Sequence, residues 1–122
     1  MTQGTARNPA SAEQDPADIE TMRTTARRAL DPDEPADEAP LLLAQLRGQI
    51  ELMIPEVDGA AARQSEDDIP RYCALACVGE ARMKLSLAAG SGLSGDAAYA
   101  RRLARVLNAL CDHYENLGGE HR

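Results

Sequence analysis

DAAYARRLARVLNALCDHYENL, residues 96–117, places apolar side chains at Ala100, Leu103, Leu107, Leu110, Tyr114 and Leu117. The steps alternate between three and four residues, which is how one side of an α-helix recurs. Arg101, Arg102 and Arg105 fall on the other side. Gly118 and Gly119 follow as a natural C-terminal stop. Upstream, GSGLSG (90–95) reads as a turn, with Ser94 placed to cap and Asp96 favourable in the first helical turn.

The preceding segment, PRYCALACVGEARMKLSLAA from residue 70 to about 88, is also helical in pattern. At about 100° per residue it carries two apolar stripes. Ala74, Val78, Ala81 and Leu85 form one, and Tyr72, Ala76, Met83 and Leu87 the other. Arg71, Arg82 and Ser86 lie between them, and Cys73, Cys77, Glu80 and Lys84 occupy the far side. Two apolar stripes predict packing from two directions, so this helix is expected at the centre of the fold. SEDDIP (65–70) supplies its start: Asp67 or Asp68 caps, and Pro70 suits the first turn.

Residues 41–64 repeat the helical spacing at Leu43, Leu46, Ile50, Met53, Val57 and Ala61. Pro55 lacks the N–H that would bond the carbonyl of Glu51, so the helix either kinks there or breaks into two. Residues 31–40, DPDEPADEAP, hold five acids and three prolines and read as an extended acidic linker. That linker is a docking segment for a basic partner or a solvated spacer. Residues 15–30 form a further helix: Asp15 caps, Pro16 opens it, Arg27 and Arg28 close it, and Ile19, Met22, Ala26 and Leu30 make its apolar stripe. Residues 1–14 and 118–122 are tails without periodicity. The expected fold is all-α: a small antiparallel bundle of three main helices in residues 41–117, plus an N-terminal helix that packs on the side or on a partner.

Composition agrees with that class. The 122 residues include no Phe, no Trp and three Tyr, so the core is built from Ala and Leu, which favour helix. The net charge is −7. Residues 1–40 carry nine acids against four bases, and residues 41–122 eleven against nine. An acidic chain is a poor match for phosphate backbones, so nucleic acid is not an expected partner. No apolar run approaches the ~20 residues that cross a bilayer, and residues 1–20 lack the basic start and apolar run of a secretion signal. A cytoplasmic location follows as the expectation, with the three cysteines as reduced thiols.

Few residue groups suggest chemistry. Cys73, Cys77, Cys111 and His113 are candidates for a metal or thiol site, because an antiparallel hairpin centred near residue 92 sets Cys73 level with Cys111. Against this, both Cys73 and Cys77 sit mid-helix rather than on a knuckle, and Cys111 and His113 point about 200° apart on theirs. Packing is the preferred role for the thiols. His113 beside Asp112 suggests an acid/base pair, but adjacent helical residues face apart; His121 lies in the C-terminal tail. The three tyrosines are expected to pack with their hydroxyls at the rim. No phosphate-binding glycine loop and no nucleophile motif occurs. No catalytic, cofactor-binding or metal residue is therefore assigned.

Four segments, DIETMRTTARRAL, MIPEV, PRYCALACVGEARMKL and YARRLARVLNALCDHYENL, resemble a family of small actinobacterial proteins labelled natural-product-biosynthesis proteins. The resemblance spans roughly residues 18–117. It implies association with biosynthetic genes; it implies no reaction and no site residues. The functional expectation is a non-enzymatic accessory or regulatory protein that contacts another protein, or itself as a homodimer. The N-terminal helix and the Arg101/Arg105 strip are the surfaces expected to carry those contacts. The alternative is a thiol- or metal-dependent protein using Cys73, Cys77 and Cys111.

Overall fold

The computed structural model describes residues 15–87 and 92–118. Among these the chain is all-helical, with no strand. Helix α1 spans Asp15–Leu30, α2 Ala39–Ala62, α3 Ile69–Ser86 and α4 Gly92–Asn116. The expected tail 1–14, and Ser91, Gly119 and His121, lie outside the described residues.

The helix boundaries follow local chemistry. Asp68 caps α3 by accepting the Arg71 N–H at 2.9 Å, and Pro70 occupies its first turn. Pro40 likewise sits in the first turn of α2. After α4 the chain turns at Gly118, whose φ of +74° is left-handed backbone that glycine adopts without a Cβ clash. Helix α4 begins earlier than the GSGLSG turn predicts, with Gly92 to Gly95 already helical.

Helix α2 runs through Pro55 without a break. A proline in a helix interior costs about 3 kcal/mol. Met53, Ile54 and Val57 on the neighbouring turns are all buried. Each such side chain contributes about 1.5–3 kcal/mol on burial, so packing outweighs the lost hydrogen bond.

The 31–40 segment is folded rather than extended. Asp31 accepts the Asp33 N–H on its side chain at 2.9 Å and the Glu34 N–H on its carbonyl at 3.1 Å. Arg28 holds Glu34 at 2.8 Å and approaches Glu38 at 3.9 Å. Residues Ala36–Glu38 form one turn of 3-10 helix, and Ala39 and Pro40 already belong to α2. Asx-type bonds and one arginine thus organise a sequence whose like charges predicted extension.

The core centres on α2 and α4. Leu42, Leu46, Ile50 and Val57 from α2 meet Leu103, Leu107, Leu110 and Cys111 from α4, all fully buried. Helix α4 packs on all three other helices, and its pairing with α2 is the most extensive. Helix α1 buries Ile19, Met22, Ala26 and Ala29 against its own chain, so its apolar stripe is covered within the fold. Helix α3 supplies only Ala74, Val78 and Ala81 to the buried core. The expectation that α3 sits at the centre is corrected: it packs on one side only, and α4 holds the central place.

Side chains tie the helix ends together. Arg71, at the start of α3, donates to the Ala61 carbonyl at the end of α2 at 3.2 Å. Arg47, near the start of α2, donates to the Leu85 carbonyl at the end of α3 at 3.0 Å. Arg47 also donates to the Tyr99 hydroxyl at 2.9 Å, and that hydroxyl donates to the Lys84 carbonyl. Gln64 reaches the Leu117 carbonyl at 3.3 Å. The Lys84 and Leu85 carbonyls in the last turn of α3 are thus satisfied by α4 and α2, and the Met83 carbonyl by the Leu87 N–H.

Candidate functional site

The three thiols occupy three environments. Cys73 is exposed, Cys77 half-buried and Cys111 wholly buried. Burial pushes the Cys77 thiol up to about 11, reinforced by the charges of Glu80 and Asp112. Burial also pushes the Cys111 thiol up to about 11, with Arg23 pulling the other way and Glu115 and Asp112 adding to the rise. At neutral pH such a thiol is ionised to about one part in ten thousand, which makes it a slow nucleophile. Cys73 faces water while Cys111 has no accessible surface, so the two do not line one cavity. Among the described residues no group of three or more His, Cys, Asp or Glu is placed to hold a metal ion.

Asp112 does not serve His113. It accepts from Arg23 of α1 at 2.9 Å, and Glu115 accepts from the same guanidinium at 2.7 Å. Arg23 therefore bridges two acids on successive turns of α4 and fastens α1 to it. The sequence signal for this pairing is only the spacing of Asp112 and Glu115, which share a helix face.

The arginine strip on α4 divides. Arg101 lines a groove of about 220 Å³ together with Asp31 and Glu34 from the α1–α2 connection. Arg102 and Arg105 line a second groove, of about 290 Å³, between α3 and α4. Its other walls are Cys77, Glu80, Lys84, Val106 and Ala109. Lys84 is paired there with Glu80 at 2.9 Å. A third groove, of about 350 Å³, lies between Arg23, Arg27, Leu30, Asn108 and Asp112. Each is an open trough with charged rims; the second holds the Cys77 thiol on the same wall as Glu80 and Lys84, which are paired with each other.

The tyrosines also separate. Tyr99 and Tyr114 are buried, and Tyr99 is the polar hub described above. Tyr72 is instead 75% exposed. It belongs to the second apolar stripe of α3, together with exposed Ala76, Met83 and Leu87. Ile69, one turn before Tyr72, extends the stripe and is also exposed. That face points away from Ala74, Val78 and Ala81, as residues about half a helical turn apart must. Tyr72 and Met83 of α3 therefore lie outside, while Ala74, Val78 and Ala81 lie inside with half-buried Leu75 and Leu85 packed beside them. Sequence reasoning identified this stripe and misjudged what covers it; it did not single out Ile69 or Arg47.

No curated protein and no solved structure matches the chain. No helix among the described residues is long and apolar enough to cross a membrane. Residues 20–119 match DUF6415, a family of unknown function, and that coverage of most of the chain establishes that the protein belongs to this family.

Proposed function

We propose that this is a non-enzymatic accessory or regulatory protein of the cytoplasm, an antiparallel helical bundle that acts through protein–protein contacts. The observation that carries the reading is the outward stripe of α3, where Ile69, Tyr72, Met83 and Leu87 are 72%, 75%, 60% and 51% exposed. Single exposed apolar residues are ordinary on any protein surface, but three large ones along one helix face, with Leu87 just past its end, favour a contact surface. The linked helix ends support the antiparallel arrangement: α3 starts beside the end of α2 and ends beside its start. The resemblance to natural-product-biosynthesis proteins favours a partner within a biosynthetic assembly.

The rival reading, a thiol- or metal-dependent protein using Cys73, Cys77 and Cys111, draws no support from the thiols' surroundings. Two of the three are held protonated by burial. The test is quantitative capture of interaction partners from the native cell with the full chain and with a Tyr72→Glu/Met83→Glu variant. Both positions are exposed, so the variant keeps its helical circular dichroism. The expected result is a stoichiometric binding protein, or the chain itself, retained by the wild type and lost by the variant. Equal retention by both sinks the reading.

A further inference from the structure

We propose that the outer face of α4 binds a short acidic segment of a partner protein, through Arg101, Arg102 and Arg105 with Arg27 of α1 at one edge. This surface is separate from the α3 stripe, and neither reading needs the other.

Ion pairing within the chain singles these residues out. Acids outnumber Lys and Arg by 20 to 13, so cations are the scarcer charge and acids are available to pair with them. Arg23, Arg28, Arg82 and Lys84 each hold a carboxylate, and Arg47 and Arg71 each hold a backbone carbonyl. Arg27, Arg101, Arg102 and Arg105 are exposed and make no ion pair among the described residues. The same holds for Arg63 at the far end of α2, but it stands alone.

The fold gathers the other four on one side. Arg101, Arg105 and Asn108 follow at steps of four and three, so they share the crest of α4. Arg102 and Arg105 line the groove on the α3 side of that crest. Arg27 and Asn108 line the groove on its α1 side. The nearby acids are largely engaged: Asp112 and Glu115 with Arg23, Glu80 with Lys84, and Glu34 with Arg28. Asp31 shares a groove with Arg101, and its carboxylate accepts the Asp33 N–H. The acidic 31–40 segment of the same chain therefore does not neutralise this face.

Charge complementarity names the occupant. Guanidinium groups match carboxylates in a two-point geometry that lysine lacks. Arg101 and Arg105 are one helical turn apart, about 5–6 Å between Cβ atoms, and an acidic helix with carboxylates one turn apart repeats that spacing. The arginine row is short, about 10 Å from Arg101 to Asn108 at the rise of a helix. A short peptide ends within it. A nucleic-acid strand, with a charge every few ångströms, runs on past it over a molecule whose net charge is −7. A lipid surface needs large apolar side chains beside the cations. Among the described residues, the exposed large apolar side chains belong to other helices and none to α4. Exposed charge pairs contribute little singly, so the contact is weak and depends on several arginines at once.

The probe is an alanine-rich helical peptide with glutamates one turn apart, titrated into the isotope-labelled full chain and followed by amide NMR shifts. Physiological ionic strength is the right condition, because the Debye length of about 8 Å lets the peptide sense the local arginines rather than the distant acids. The expected result is saturable shifts concentrated on residues 101–109 and absent at Arg63 and Tyr72. The glutamine version of the peptide leaves the spectrum unchanged. Arg102→Gln/Arg105→Gln weakens binding about fivefold or more, while Arg63→Gln/Arg82→Gln, with the same change in net charge, stays within about twofold. Tyr72→Glu/Met83→Glu binds the peptide as the wild type does. Shifts that are absent, that survive loss of Arg102 and Arg105, or that the glutamine peptide reproduces overturn the proposal. Tighter binding of oligothymidine or of phosphatidylglycerol vesicles through the same arginines overturns the acidic segment as occupant. Loss of peptide binding in Tyr72→Glu/Met83→Glu overturns the separation of the two surfaces.

Discussion

Helices α3 and α4 adjoin in sequence and both repeat apolar residues at helical spacing, yet they use them oppositely. In α4 the large residues are inside: Leu103, Leu107 and Leu110 have no exposed surface. In α3 the inside belongs to Ala74, Val78 and Ala81, and the large residues Tyr72 and Met83 face water. One apolar stripe identifies one buried face. Two stripes identify two contact faces without saying that the same chain covers both. Helix α4 is the part of the molecule that holds the fold together, and α3 is the part with surface left to offer.

The sharpest way to break this contrast is to truncate one large residue on each helix. Leu107→Ala opens a cavity in the centre of the core and is expected to cost about 2–5 kcal/mol. Met83→Ala removes an exposed side chain and is expected to stay within about 0.5 kcal/mol. Urea unfolding at a low protein concentration measures both; a costly Met83→Ala would mean that the α3 stripe is buried within the chain after all.

The converse pair enlarges small residues on the two faces of α3 alone. Ala81→Leu overfills a fully buried position and is expected to destabilise by about 1–3 kcal/mol. Ala76→Leu points outward and is expected to leave monomer stability within about 0.5 kcal/mol. Equal effects would show that α3 does not have distinct inner and outer faces.

The smallest effect lies in the thiols. Cys77 and Cys111 move from an ordinary value of 9.0 to about 11 in the folded chain. A folded thiol that holds its proton while the unfolded one has lost it makes unfolding easier as pH rises. Stability is therefore full below about pH 9 and declines between pH 9 and 11, and Cys111→Ala should flatten part of that slope relative to its own neutral-pH value. By their exposure, Cys73 should react with a thiol reagent in the native state well before Cys77, and Cys111 only as the chain opens. Cys111 reacting as fast as Cys73 would show that α4 is not the closed core described here.

Much of this was legible from residues alone. The steps in 96–117 announce α4, Asp68 and Pro70 announce the start of α3, and Gly118 announces the end of α4. Less legible was anything requiring a choice between partners. The prolines and acids of 31–40 predict extension, because sequence spacing does not show that Arg28 lies within reach of Glu34. Pro55 predicts a kink or a break, because the burial of Met53, Ile54 and Val57 that offsets its cost belongs to the assembled core. The candidate site shows the same limit. Cys73 and Cys111 are level in a flat hairpin diagram, but rotation of each helix about its axis turns one to water and the other to the core.

Helix content, the alternation of buried and exposed faces and the positions of the caps are local properties, set by backbone sterics and by neighbours three or four residues away, and they were readable in the chain. Which of two apolar stripes is covered, which arginine finds which acid and which helix is central depend on how four helices share a limited volume. That is a competition among contacts distant in sequence. Only the assembled packing resolves it, and here it leaves the second stripe of α3 uncovered.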